Sequence, residues 1–202
     1  DAKGVRIEAQ GTLSRQVSGK DGEKEYSYTE MTNLATGHVS IDGKYGEESF
    51  TSGYTDTKNE DGSLTRTYDE GSDYINGAGI PTQYTCGKDV YEKYDANGVR
   101  IEAQGALSRQ VSGKQGEFAY GYTETIDLAS EITTIKYDEG SHFVNSDGTV
   151  SEYTWGKDAY EKYDANGVRI EVQGTLSRQI SGKDGETQYS YTETTDLATG
   201  HV

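Results

Sequence analysis

The residues best suited to chemistry in this chain are carboxylates set beside glycine, seventeen tyrosines and one cysteine. Asp95-Ala-Asn97-Gly98, Asp164-Ala-Asn166-Gly167 and Asp61-Gly62 offer hard oxygen donors of the kind calcium takes. An EF-hand loop would need further acidic positions and a Glu at its twelfth place, and these are missing. Asp, Asn and Gly also satisfy the geometry of tight turns, and turn formation is the favoured reading of Asp95, Asn97, Asp164 and Asn166. A calcium role would predict a shift in melting on chelation. Asp69/Glu70 and Asp138/Glu139 are paired acids that a glycosidase could use, but both sit in a repeated Tyr-Asp-Glu-Gly-Ser string that reads as a solvated bend. His38, His142 and His201 have no recurring Cys or His partners and are read as polar surface residues. No catalytic constellation emerges, so the expectation is a protein that is not an enzyme and needs no cofactor.

Cys86 is the sole cysteine, so no disulfide can form within the chain. Its counterpart one repeat later is Trp155, which predicts a packing position that tolerates bulk. The tyrosines recur at fixed places, notably Tyr26, Tyr28, Tyr94, Tyr120, Tyr122 and Tyr163. Rows of exposed aromatics can stack on sugar rings, whereas tyrosines on strands pair with their cross-strand neighbours. Packing between strands and units is the favoured reading, and glycan binding is the alternative.

The elements that must hold these residues are repeats. Asp1–Val39 returns at Asp164–Val202 with 32 of 39 positions identical, and in shorter form at Asp95–Ser130. An offset of 94 residues carries Gly4–Gly11 onto Gly98–Gly105 and Tyr26/Tyr28 onto Tyr120/Tyr122. An offset of 69 carries Tyr84–Asp89 onto Tyr153–Asp158 and Tyr91–Tyr94 onto Tyr160–Tyr163. The difference of 25 residues is a block within about positions 36–67, including Phe50, Tyr54 and the turn Asn59-Glu-Asp61-Gly62, that only the first unit has. The predicted organisation is a long unit at 1–94, a short unit at 95–163 and the start of a third at 164–202. Such periodicity marks a repeat array, and the chain is expected to be a window on a longer polymer, with a processed subunit as the alternative.

From Val5 the apolar residues alternate with polar ones through Ile7, Ala9, Gly11, Leu13 and Val17, which is a strand pattern. It predicts one long strand, or two joined by a bend at Gly11. Asp-Gly and Asn-Gly pairs at 21–22, 61–62, 97–98 and 147–148 predict hairpin turns, and Pro81 is placed just ahead of the Tyr84 strand. No stretch reads as a helix. The predicted fold is all-β: tandem antiparallel β-meander or sandwich-like repeat units in an elongated array, with a thin core of Val, Ile, Leu and Tyr.

Hydrophobic residues make up 31% and net charge is −16, values that taken alone would suit a disordered chain. The strict alternation and the placed tyrosines argue for order. The acidity disfavours nucleic acid, whose phosphates need clustered Lys and Arg, and no window is apolar enough to span a bilayer as a helix. No Asn-x-Ser/Thr sequon occurs, while many Ser and Thr leave O-linked glycans open. Tyr94-Asp95-Ala-Asn97-Gly98 and Tyr163-Asp164-Ala-Asn166-Gly167 resemble the Tyr-Asp-x-x-Gly core of YD-type shell repeats, which recur at much shorter spacing than 69 residues. Asp61-Gly62, Tyr68, Gly71 and Pro81 are similar to the tail of arthropod cuticle chitin-binding domains, although the short unit drops the proline. Neither likeness extends far enough to assign a family. The functional expectation is a structural repeat protein, extracellular or on the cell surface, that self-associates into a filament, appendage or matrix. The alternative is a repetitive adhesin or carbohydrate-binding matrix protein acting through avidity.

Overall fold

A computed structural model describes residues 10–202, all of them in strands, turns and loops, with no helix. The chain divides into two compact units, the described part of Asp1–Leu107 with Asp127–Ala129, and Ser108–Ile126 with Ser130–Val202. These units are displaced from the sequence repeats. The openings of the second and third repeats fold back to close the unit before them, so Leu107 is buried in the first unit rather than starting the second. The expected alternation at Val5, Ile7 and Ala9 lies outside the described residues.

The first unit holds β1 (Thr12–Asp21), β2 (Lys24–Asn33), β3 (His38–Tyr45), β4 (Glu48–Lys58), β5 (Leu64–Tyr68), β6 (Asp73–Ile75), β7 (Pro81–Cys86), β8 (Tyr91–Tyr94) and β9 (Arg100–Gln104). Seven of these form one antiparallel sheet in the order β1-β2-β3-β4-β5-β8-β9. The β6–β7 hairpin lies across its face, with Tyr74, Ile75 and Cys86 buried with Tyr28, Phe50, Tyr54 and Tyr68 of the sheet. Tyr28 reaches the hairpin tip, donating its hydroxyl to the Gly79 carbonyl at 3.1 Å. Pro81 starts β7 instead of preceding it and pairs with Ile75, a strand's first residue being where proline is tolerated.

The second unit holds most of β10 (Ala106–Gln115) and β11 (Phe118–Asp127), then β12 (Thr133–Tyr137), β13 (His142–Val144), β14 (Val150–Trp155), β15 (Tyr160–Tyr163), β16 (Arg169–Gln173), β17 (Thr175–Asp184) and β18 (Thr187–Asp196). Strands run in the order β16-β15-β12-β11-β10 in one sheet and β13-β14-β17-β18 in another. β5 and β8 of the first unit thus reappear as β12 and β15, and the β6–β7 hairpin as β13–β14.

The 25-residue block accounts for the difference between the units in terms of strand polarity. It amounts to one hairpin, and removing two strands leaves every remaining strand running in its original direction. β11 consequently does two jobs. By sequence Tyr122 is the equivalent of Tyr28, yet it pairs across strands with Tyr137 as Tyr54 pairs with Tyr68. The ring geometry repeats as well, with centroids 6.0 Å apart at 61° in one unit and 6.2 Å at 61° in the other.

The predicted turns sit at strand junctions, with Gly22, Gly62, Gly98 and Gly148 all at positive φ. The bend expected at Gly11 is present, at φ +98, and recurs at Gly105 and Gly174. These glycines divide the long alternating run into two strands, β9 and β10 or β16 and β17. The apolar face expected along that run is not uniformly buried. Val99, Ile101, Val168 and Ile170 are more than half exposed, Val99 and Val168 in the turns that lead into β9 and β16, and Ile101 and Ile170 on those strands, which are the last of their sheets.

Candidate functional site

The best-built polar site in each unit is a buried carboxylate inside a ring of tyrosines. On β8, side chains alternate between the two faces of the sheet, so Tyr91 and Lys93 face out while Glu92 and Tyr94 face the β6–β7 hairpin. Glu92 is only 1% exposed. Its Oε2 accepts hydrogen bonds from the hydroxyls of Tyr68 at 2.7 Å and Tyr94 at 2.6 Å, and its Oε1 accepts from Tyr74 at 3.1 Å and Arg100 Nη1 at 3.0 Å. β5, β6, β8 and β9 thus meet on one carboxylate. Each partner lies at the place that strand register allows, and the Asp95–Val99 turn returns Arg100 beside Tyr94.

The second unit rebuilds this cluster with one donor fewer. Glu161 Oε2 accepts from Tyr137 at 2.6 Å and Tyr163 at 2.8 Å, and Oε1 accepts from Arg169 Nη1 at 2.6 Å. Phe143 stands where the first unit has Tyr74. Trp155 stands where it has Cys86, stacked on Tyr137 with centroids 3.6 Å apart and rings 9° from parallel. With its oxygens taken up by hydroxyls and a guanidinium, such a carboxylate works as a buried anchoring anion that ties several strands together.

Electrostatics follows from this geometry. Burial pushes the pKa of Glu92 up, but hydrogen bonds from Tyr94, Tyr68, Arg100 and Tyr74 outweigh it and hold the group below the ordinary 4.5. Glu161 is held low in the same way by Tyr137, Tyr163 and Arg169 against burial. The tyrosines move in the opposite sense. Burial and then the facing carboxylate raise Tyr94 and Tyr163 to about 12, and raise Tyr68, Tyr74 and Tyr137 as well.

Linkage therefore gives stability two edges. A depressed carboxylate stabilises the fold above its unfolded pKa, and that contribution is lost as pH falls below about 4.5 and through the folded value. A raised tyrosine stabilises below its unfolded value of 10, and that contribution is lost as pH rises through the folded value. In a tyrosinate absorbance titration, the cluster tyrosines are expected to ionise together with loss of the far-UV signal, as a step separate from folded-state ionisation. A titration completed while the chain stays folded would contradict this placement.

The residues singled out in the sequence fall into four groups. Tyr94, Tyr163, Trp155 and Cys86 do belong to these clusters. Tyr26, Tyr120 and the corresponding Tyr189 cover a glycine on the neighbouring strand, at Gly19, Gly113 and Gly182. Tyr28 and Tyr122 are sheet-face residues under the hairpins. Asp95 and Asp164 spend Oδ1 on their own turns, accepting from the backbone N–H groups of Asn97 and Val99 and of Asn166 and Val168 at 2.8–2.9 Å. No group of three His, Cys, Asp or Glu side chains placed for a metal ion occurs among the described residues. His38 pairs with Asp69 at 2.8 Å, and His142 packs its ring on Phe118.

Glu92, Glu161, Arg100 and Arg169 are the residues that sequence reading passed over. The available signal was parity. In Tyr-Glu-Lys-Tyr the glutamate shares its face with the second tyrosine, and an arginine follows eight residues later in both copies.

Cys86, at the end of β7, is buried on the inner side of the hairpin, and this burial pushes its thiol up to about 11. A thiol so shielded is a poor nucleophile. Its alkylation in the folded chain is expected to be slower than in denaturant by orders of magnitude, set by opening of the unit. Rapid labelling under native conditions would show the packing to be looser than described. The chain matches no protein-family model, no curated protein and no solved structure.

Proposed function

We propose that this chain is part of a structural repeat protein that forms or decorates an extracellular filament, appendage or matrix. One observation carries the reading: both units invest their best-built polar cluster, Glu92 or Glu161 with its tyrosines and arginine, in tying strands together. The carboxylate, two of its tyrosines and its arginine also persist in the unit that lacks the 25-residue hairpin, as a repeat valued for cohesion would require. In this reading strand pairing and tyrosine packing supply the strength. A net charge of −16 keeps neighbouring assemblies apart.

Immuno-electron microscopy with an antibody to this chain, on cells of the source and on the material around them, tests the proposal. Label spaced along filaments or matrix is expected. Label confined to the cell interior, or antigen recovered only as a free monomer, would refute it.

A second reading as an adhesin or carbohydrate-binding matrix protein is favoured by one surface. Tyr189 and Tyr191 lie about half exposed on β18, their rings 6.3 Å apart and 25° from parallel. That reading predicts retention on chitin, cellulose or host glycans that Tyr191→Ala abolishes. Retention indifferent to the substitution would remove these aromatics as the platform.

A further inference from the structure

The hairpins β1–β2 and β17–β18 are one object built twice. Their registers coincide at an offset of 163 residues, from Thr12↔Asn33 to Asp21↔Lys24 in one and from Thr175↔Asp196 to Asp184↔Thr187 in the other. Both are closed by a leucine N–H donating to a glycine carbonyl at 3.0 Å, Leu34 to Gly11 and Leu197 to Gly174. They differ in what lies along the outer edge of the first strand.

β17 is docked. Thr154 and Trp155 of β14 pair with Ser177 and Leu176, and the Gly156 N–H donates to the Thr175 carbonyl at 2.9 Å. The Tyr153 hydroxyl donates to Glu193 at 2.5 Å, and the Arg178 guanidinium lies 4.8 Å from the centre of the Tyr153 ring. Ala159 sits so close to Gly174 that a Cβ there would come within 2.6 Å of the Ala159 Cα. The first unit repeats the end of this dock. Gly87 N–H donates to the Ala106 carbonyl at 2.9 Å, a Cβ on Gly105 would come within 2.8 Å of the Val90 Cα, and Leu107 is 2% exposed.

At β1 the same receiving groups are present without these neighbours. Nothing among the described residues lies within 4 Å of a Cβ placed on Gly11. Leu13, the equivalent of Leu107 and Leu176, is 61% exposed. Arg15 still pairs with Glu30 at 2.8 Å, but its side chain is 67% exposed where the equivalent Arg178 is 35% exposed. Among the described residues no strand pairs with this edge of β1. An open edge of this kind is a template for strand addition.

We propose that the outer edge of β1 is a binding site for a strand of the β14 type, with the sequence Tyr-Thr-(Trp/Cys)-Gly-Lys-Asp-(Ala/Val), supplied from outside residues 10–202. Its aromatic or thiol residue covers Leu13, its tyrosine lies over Arg15 and donates to Glu30, and its Ala or Val backbone fills the space over Gly11. A second copy of the same residues is not the occupant, since its own β14 is already seated on β17. The inference deepens the structural-repeat reading and takes its biological meaning from it, although the site can be tested alone.

The probe is a labelled peptide spanning residues 142–163, titrated against the full 202-residue chain by fluorescence anisotropy. Saturable one-to-one binding is expected. Loss of the hydrogen bond to a charged group in a Tyr153→Phe peptide should weaken it about tenfold. Leu13→Asp in the chain should abolish binding without moving its melting temperature, because Leu13 is exposed. As a second arm, residues 95–163 are fused directly ahead of Asp1, in the order in which 163 precedes 164. Amide exchange over Gly11–Arg15 should then slow about tenfold or more. No saturable binding together with no protection in the fusion would overturn the proposal. So would binding indifferent to Leu13→Asp, or dimerisation of the chain through this edge. Any of these would leave the filament reading standing, because that reading fails separately, on the microscopy.

Discussion

Glu92→Ala is expected to destabilise the first unit by about 3–5 kcal/mol, the range seen when one member of a buried ion pair is removed. Four donors converge on that carboxylate. Without it the Tyr68 and Tyr74 hydroxyls are left in an interior that offers no replacement acceptor, and each orphaned group carries its full desolvation penalty. For a unit of this size the melting temperature should fall by more than about 10 °C, read by far-UV circular dichroism. Glu92→Gln keeps an acceptor for the tyrosines but loses the charge facing Arg100, so it should lie between Ala and the parent.

Glu161→Ala should be milder, because Phe143 has already removed one donor from the second cluster. Combining Glu92→Leu with Tyr68→Phe and Tyr74→Phe should recover part of the loss, since the two buried hydroxyls that faced the carboxylate no longer need an acceptor. A change of under about 1 kcal/mol for Glu92→Ala, below the range for a broken buried pair, would show that water reaches the cluster and that it is no anchor.

The second large effect is expected at Trp155. In the first unit Tyr68 and Tyr74 meet directly, 5.3 Å apart. In the second, Trp155 touches both of their counterparts, 3.6 Å from Tyr137 and 5.4 Å from Phe143. At 2% exposure it is the largest side chain in that core. Truncation to Ala should cost about 3–5 kcal/mol, and faster amide exchange in β17 and β18 should accompany it, because Trp155 pairs with Leu176. Trp155→Cys should be nearly as damaging, even though cysteine is native at the equivalent place. The reverse exchange, Cys86→Trp, should overpack the first unit by about 1–3 kcal/mol. Chemical denaturation followed by circular dichroism measures all three, since the chain's single tryptophan is itself the variable. If Trp155→Cys were neutral, the exchange between copies would be simple tolerance of bulk, as the repeat alignment by itself suggested. The contacts instead make it a paired change, Tyr74 with Cys86 against Phe143 with Trp155.

Much of the architecture was legible in the residues. Alternation of apolar and polar positions has the period of a strand, and Asp-Gly or Asn-Gly pairs supply the positive φ that hairpins need, so an all-β meander followed from local chemistry. The bend at Gly11 was legible for the same reason. The alternation did not reveal which apolar residues are core. Leu13, Leu107 and Leu176 are the same residue in the same local sequence, yet their burial differs because it depends on a strand that arrives from elsewhere in the chain. The carboxylate clusters escaped notice for a related reason, since a glutamate in a polar string looks solvated until three or four strands place their hydroxyls and guanidinium around it.

The sequence by itself determined the strands, the turns, the repeat and the length of the dispensable block, because each is encoded by residues near one another in the chain. Tertiary structure alone decided that the block is one hairpin, so that strand directions survive its loss. It also decided that Glu92 and Glu161 are anchors and that β1 keeps an open edge where β17 is covered. Those outcomes depend on long-range register, where a neighbouring strand, not the residue's own type, sets burial and charge.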